Sequence, residues 1–177
     1  MTTSPFPQSP SPQIVAQLDQ RILTLSFNRP ERKNALTLAM YSALAELITQ
    51  GDSDAQVRVI VLTGSDEFFT AGNDLMDFMN EPNIHANHPV VRFIDALRHC
   101  KKPVVAVVRG HAVGIGTTML LHCDLVYAAP GCRFQMPFTA LGLCPEAASS
   151  LLLPKLMGYQ KAAQYLMGEH DFTSFRA

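Results

Sequence analysis

The 177-residue sequence has no CxxC pair, no excess of charge of either sign, and no apolar run that could cross a bilayer. Each absence excludes something. Its four cysteines (Cys100, Cys123, Cys132, Cys144) are scattered, so they read as reduced thiols in a cytoplasmic protein rather than as a disulfide framework or a zinc site. Lys plus Arg number 14 and Asp plus Glu 15, a net charge of −1. No basic excess exists to neutralise a phosphate backbone or an anionic membrane, so neither nucleic acid nor membrane is an expected partner. The best candidate for an apolar span, Pro103 to Val108, is strand-sized and falls far short of the roughly 18 residues of a spanning helix. The opening MTTSPFPQSPSPQ has neither the basic start nor the apolar stretch of a secretory signal, and Arg21 is the first basic residue. No targeting segment is expected. Walker, GxGxxG and GxSxG motifs are lacking too, which argues against a nucleotide-binding loop or a serine nucleophile.

What is present suits one globular domain. Hydrophobic residues make up 47% and charged residues 16%, enough to build a core. Pro5, Pro7, Pro10 and Pro12 among serines mark residues 1–12 as a flexible tail, with folded structure expected over 13–177. Residues 14–18 and 22–27 alternate as two strands, and Pro30 closes the second. Thr37 is placed to cap a helix with Leu38, Tyr41, Ala45 and Ile48 on one face, and Gly51 reads as its stop. Residues 57–63 and 103–108 are buried strands, with a loop over 64–74, a short helix from Leu75 and a helix over 89–100. The segment 110–116 opens a helix over 115–122. Strands are expected at 125–129 and 133–136, and helices at 145–157, where Pro154 interrupts or kinks, and at 160–167. The stretch 168–177 has no periodicity. Strands alternating with helices make an α/β fold, and a loose strand–strand–helix recurrence suggests a spiral.

Two glycine-containing turns each follow a strand and feed a helix: Ala71-Gly72-Asn73-Asp74, and the run from Gly110 through Gly114, Ile115 and Gly116. Helix starts leave backbone N–H groups unpaired, and those groups favour negative charge. Two converging ends could hold one developing oxyanion; taken singly, each reads first as an ordinary strand-to-helix turn. Glu146 follows Pro145 near the start of an apolar helix. It reads either as a dipole-compensating carboxylate or as a general base whose pKa is raised by an apolar pocket. His85 and His88 lack a third ligand, so no metal is expected. Cys144 has no histidine partner in sequence and reads as an inert thiol.

Four stretches, NRPERKNALT (28–37), VLTGSDEFFTAGNDL (61–75), KKPVVAVVRGHAVGIG (101–116) and CDLVYAAPGCRFQMPFTALGLCPE (123–146), together resemble the crotonase, or enoyl-CoA hydratase/isomerase, superfamily in order and spacing. The resemblance implies a ββα spiral binding an acyl-coenzyme A thioester, with no cofactor beyond the coenzyme A of the substrate. It implies an oxyanion hole from the backbone N–H groups of Asn73 and Ile115. Losing one such donor typically costs about 3 kcal/mol of barrier. Lys33, Ala35, Ala71, Gly72, Asp74, Leu75 and Gly114 match the substrate and coenzyme-A pocket, with Lys33 near the phosphates.

Two departures from the family pattern carry information. The two glutamates of the family's hydratases fall at Thr118 and Phe138, neither of which does carboxylate chemistry. The stretch LGLCPEAASSLLLPKLMG instead resembles the Δ3-Δ2-enoyl-CoA isomerase branch, whose single catalytic glutamate matches Glu146. A hydratase or another crotonase reaction, or a non-catalytic acyl-CoA-binding protein, are the alternatives. The second departure is length. Family members continue past the region of Gly168 into further helices, so the C-terminal helical segment is expected to be missing or truncated. A homotrimer or dimer of trimers is what the family implies.

Overall fold

In a computed structural model, the described residues are 8–81, 85–168 and 171–174. β-branched and leucine-rich runs form strands where the sequence places them: β1 (Ile14–Asp19), β2 (Ile22–Phe27), β3 (Val59–Thr63) and β5 (Val104–Val108). Part of the proline-rich start is also built in. The side chain of Ser11 is buried, and its carbonyl accepts from the Ile14 N–H at 3.1 Å. Residues 1–7 of the expected tail lie outside the described residues.

The helix α1 (Leu38–Ser53) starts where Thr37 predicts, with the Thr37 Oγ1 accepting from the Met40 N–H. It does not stop at Gly51. Gly51 is buried inside the helix, where a Cβ would lie 2.6 Å from a Leu23 methyl. Its role is to let the helix approach the sheet, not to end the helix. The expected loop over 64–74 contains the three-residue strand β4 (Phe68–Thr70), and the glycine-rich segment contains β6 (His111–Val113). Between them run α2 (Leu75–Asn80) and α3 (Pro89–His99).

After β6 come α4 (Ile115–Thr118) and a 3-10 turn over Met119–His122, where one continuous helix was expected. Then follow β7 (Leu125–Ala128) and β8 (Arg133–Gln135), α5 (Ser149–Met157), α6 (Tyr159–Met167) and β9 (Phe172–Thr173). Helix α5 starts four residues later than expected and runs on through Pro154. Strand β9 lies in the stretch that showed no periodicity. It pairs antiparallel with β8, and Phe172 stacks on Phe134 at 5.1 Å.

The strands form two sheets, ordered β1-β2-β3-β5-β7 and β4-β6-β8-β9. From β3 onward each turn of chain places one strand in the first sheet and the next in the second. Thus β3, β5 and β7 pair in parallel, as do β4, β6 and β8. This is a ββα spiral, as the recurrence suggested and as the resemblance to the crotonase family implies. Helices α1 and α3 carry Tyr41, Leu44, Ile48 and Phe93 into the core. The arrangement fixes the site, because β4 and β6 are neighbours running the same way. The turns that leave their C-terminal ends therefore emerge side by side.

Candidate active site

The two turns meet through their glycines. Thr70 on β4 pairs with Ala112 on β6. Gly72, at φ +95°, lies so close to the second turn that a Cβ would sit 3.0 Å from the Val113 carbonyl oxygen. Gly114 turns the second chain at φ 56°, ψ −120°, a region that side-chain-bearing residues enter only with strain.

Asn73 follows Gly72 in a one-residue parallel bridge with Leu36. The Leu36 N–H donates to the Gly72 carbonyl at 2.8 Å and the Asp74 N–H to the Leu36 carbonyl at 2.9 Å. In extended backbone the intervening residue points its own N–H the other way. The Asn73 N–H accordingly has no backbone acceptor among the described residues. Ile115, the first residue of α4, has no carbonyl behind it in the helix, and its N–H is free in the same sense.

Glu146 reaches this region from the segment before α5. It is not in the first turn of that helix, as the sequence suggested. The chain bends after it, with Ala147 at φ 50° and Ala148 at φ 54°. The Ser149 Oγ–H donates back to the Glu146 carbonyl at 2.7 Å. The bend turns the partly buried side chain toward α4, where the Thr118 hydroxyl donates to Oε1 at 2.5 Å. Thr118 lies one helical turn past Ile115, so the carboxylate stands beside the helix that presents the Ile115 N–H.

Burial pushes the Glu146 carboxyl above its ordinary value, and the Thr118 hydrogen bond, which favours the ionised form, opposes that rise. Because α5 begins only at Ser149, Glu146 is not a carboxylate of its first turn; it is a partly buried carboxylate with a raised pKa.

A third element enters from the core. The hydroxyl of Tyr41, on α1, donates to the Asn73 Oδ1 at 2.5 Å. Burial holds this phenol well above its usual range, and the negative charge of Glu146 raises it further. Tyr41 thus stands within electrostatic reach of Glu146 while bonded to the residue of the first turn. The sequence marked Tyr41 only as part of a core face. A single hydroxyl on an otherwise apolar stripe was the available signal.

The other residues that the resemblance matches to a coenzyme-A pocket, Gly114 apart, lie at or near the first turn. Lys33, at φ 53°, closes a 3-10 turn. Its carbonyl accepts from the Ala71 N–H at 3.0 Å, and its exposed ammonium lies 5.2 Å from the Phe68 ring centroid. The Ala35 carbonyl accepts from the Arg29 guanidinium at 3.0 Å, and the same guanidinium pairs with Asp74 at 2.6 Å. Asp74 also caps α2 through the Met76 and Asp77 N–H groups. The hydrogen bond from Arg29 is the main reason its carboxyl lies below the ordinary value. Asp74 is thus committed to holding Arg29 and α2 in place. Leu75, next in line, is exposed.

Thr118 and Phe138 are both buried. With Asp74 committed to Arg29 and α2, Glu146 is the carboxylate bonded to α4, and the positions that the resemblance gives to the two hydratase glutamates hold a hydroxyl and a ring. Burial pushes the Cys123 thiol up to about 12, which suits an inert side chain. Among the described residues no group of three His, Cys, Asp or Glu could hold a metal ion. No helix among them is long and apolar enough to cross a membrane.

Residues 17–174 match the Enoyl-CoA hydratase/isomerase family. Enoyl-CoA delta isomerase 2 of Rattus norvegicus is 38% identical over 162 residues, covering 88% of this chain and 41% of that protein. The 2,3-dehydroadipyl-CoA hydratase of Escherichia coli (strain K12) is 32% identical, covering 93% of this chain and 65% of that protein. The solved structure of Pseudomonas aeruginosa OdaA superposes with a TM-score of 0.92 at 48% identity, over 94% of this chain and 68% of that one. The chain spans between 41% and 65% of the length of these two curated relatives. The motifs, the spiral and these likenesses agree: the chain belongs to the enoyl-CoA hydratase/isomerase, or crotonase, family.

Proposed function

We propose that this chain carries the site of an acyl-CoA isomerase that moves a double bond with one carboxylate. The ligand is a 3-enoyl-coenzyme A thioester. Its carbonyl oxygen accepts from the Asn73 and Ile115 N–H groups, and the pocket around Lys33, Ala35, Ala71, Gly72, Leu75 and Gly114 receives the coenzyme A. Glu146 takes a proton from the α-carbon, and the electron pair spreads into a dienolate whose negative charge rests on the thioester oxygen. Glu146 then returns the proton at the γ-carbon, giving the conjugated 2-enoyl thioester. The two N–H donors stabilise the charge as it develops, which lowers the barrier rather than only tightening binding.

The observation that supports this reading most is the placement of Glu146. It is a partly buried carboxylate with a raised pKa, hydrogen-bonded to the helix that presents one of the two free N–H groups. A base whose pKa is moved toward working pH exchanges protons with carbon acids more readily. The reaction requires no metal and no redox cofactor. A second reading, hydration of a 2-enoyl thioester, draws on relatives named as hydratases. It is weakened by Thr118 and Phe138 standing where that chemistry uses glutamates. The family's trimeric assembly is proposed for this chain on the same footing.

The test compares the wild type with Glu146→Gln on a short 3-enoyl-CoA, following the conjugated thioester in the ultraviolet. Loss of at least a hundredfold in kcat is expected. Full activity in the variant overturns the mechanism, and rapid hydration of crotonyl-CoA by the wild type favours the second reading.

A further inference from the structure

The Thr118 hydroxyl is the one polar group bonded to the Glu146 carboxylate among the described residues. Its surroundings show why. Thr118 is fully buried, and its branched Cβ restricts rotation in a helix. A helical threonine usually turns its hydroxyl back to the carbonyl four residues earlier. Here that carbonyl, on Gly114, is 3.4 Å from Oγ1 and already accepts from the Thr117 and Thr118 N–H groups at 2.9 and 3.0 Å. The hydroxyl proton goes instead to the Glu146 Oε1, 2.5 Å away. The other oxygen, Oε2, receives no hydrogen bond among the described residues. The two oxygens of one carboxylate are thereby made unequal.

We propose that Thr118 is a positioning residue that ties down the Glu146 Oε1, leaving Oε2 as the oxygen that exchanges the proton with substrate carbon. The proposal rests on the isomerase reading of Glu146. In the forward half-step the Cα–H bond breaks, an Oε2–H bond forms, and the electron pair passes to the dienolate. In the return half-step the Oε2–H bond breaks and a Cγ–H bond forms. Thr118 keeps its proton throughout and donates to Oε1 in both states. A carboxylate pinned through one oxygen pivots about that contact, which suits delivery to two carbons on one face. The threonine at a hydratase glutamate position then has a use of its own: it holds the remaining carboxylate instead of supplying a second one.

The titratable groups facing Glu146 are few. Tyr41 faces it from α1, with its proton committed to Asn73. His122, one turn beyond Thr118, bonds the Ala147 carbonyl at 2.8 Å. Neither replaces the hydroxyl on Oε1.

The experiment uses the full chain with Thr118→Val and Thr118→Ser, and Thr118→Ala should valine fit poorly. Each variant is assayed on a short 3-enoyl-CoA across pH, beside Glu146→Gln. Removing the hydroxyl is expected to lower kcat roughly ten- to a hundredfold with KM little changed. The acid limb of the kcat/KM profile should move up by about one pH unit, because a bond favouring the carboxylate is gone. Thr118→Ser should restore both. A purely structural threonine would lower stability without moving the acid limb. If Glu146→Gln is inactive while Thr118→Val and Thr118→Ala keep the wild-type kcat and acid limb, the role of Thr118 is overturned and the reading of Glu146 stands. If Glu146→Gln is fully active, the isomerase reading itself fails.

Discussion

Replacing Tyr41 with Phe removes one oxygen atom and separates the two things Tyr41 does. The ring packs in the core, with its centroid 5.5 Å from that of Phe93, and phenylalanine keeps that packing. The hydroxyl donates to the Asn73 Oδ1, and phenylalanine loses that bond. Tyr41 is 1% exposed, so water does not replace the donor from its side. Asn73 is only partly buried and can find another donor. The cost is therefore that of one made hydrogen bond plus part of a desolvation penalty, about 1–2 kcal/mol. For a chain of this length that lowers the unfolding midpoint by roughly 2–8 °C. Truncation to Ala would add the loss of the ring, about 3–5 kcal/mol.

Activity should fall more than stability suggests, because Asn73 is also the residue whose backbone N–H is proposed to face the thioester oxygen. A turn freed to rock by a fraction of an ångström weakens that donor while leaving substrate binding nearly intact. The expected result is a fall in kcat of about tenfold with a small change in KM, read together with thermal unfolding. Unchanged stability and unchanged kcat would show that the Tyr41–Asn73 contact does nothing for the turn, and would refute the reasoning.

Glu146→Gln should change the pH dependence of stability as well as activity. Burial raises the Glu146 pKa above its unfolded value, so its contribution is fully present below the unfolded pKa and is lost as pH rises through the folded one. The neutral glutamine escapes that loss, so the variant should be more stable than wild type at neutral pH and match it well below the ordinary carboxylate range, as measured by urea denaturation across pH. Gly72→Ala should cost about 1–3 kcal/mol from backbone strain at φ +95°, with a Cβ 3.0 Å from the Val113 carbonyl oxygen. It should also raise KM for a 3-enoyl-CoA, because the two turns are forced apart; steady-state kinetics beside thermal unfolding check both.

The sequence shows most clearly the elements whose residues announce themselves locally. The residues of β3 and β5 are β-branched runs, and Thr37 caps α1 by its own side chain. Strand β4 has three residues inside a turn-rich segment. It exists because β6 pairs with it, and no local signal carries that. Gly51 illustrates a limit of turn chemistry: a glycine near a helix end is read as a stop, yet here it clears space for Leu23 and Ile60. The site divides the same way. The two turns and Glu146 stand out as motifs, and their resemblance to a family gives them an order. The bend at Ala147 and Ala148 that turns Glu146 toward α4 does not stand out, since alanine seldom adopts a positive φ without tertiary contacts to enforce it. The bonds of Thr118 and Tyr41 link residues 28 and 32 positions apart. They depend on the spiral being built first.

The stereochemistry of proton transfer tests the lone carboxylate most directly. A 3-enoyl-CoA carrying deuterium at one face of the α-carbon is incubated with the protein, and any conjugated product is analysed for the α-hydrogen lost and the face on which the γ-carbon is protonated. One carboxyl group serving both carbons requires departure and arrival on the same face, and that is the outcome expected. Arrival on the opposite face requires a second proton donor across the substrate and contradicts the account.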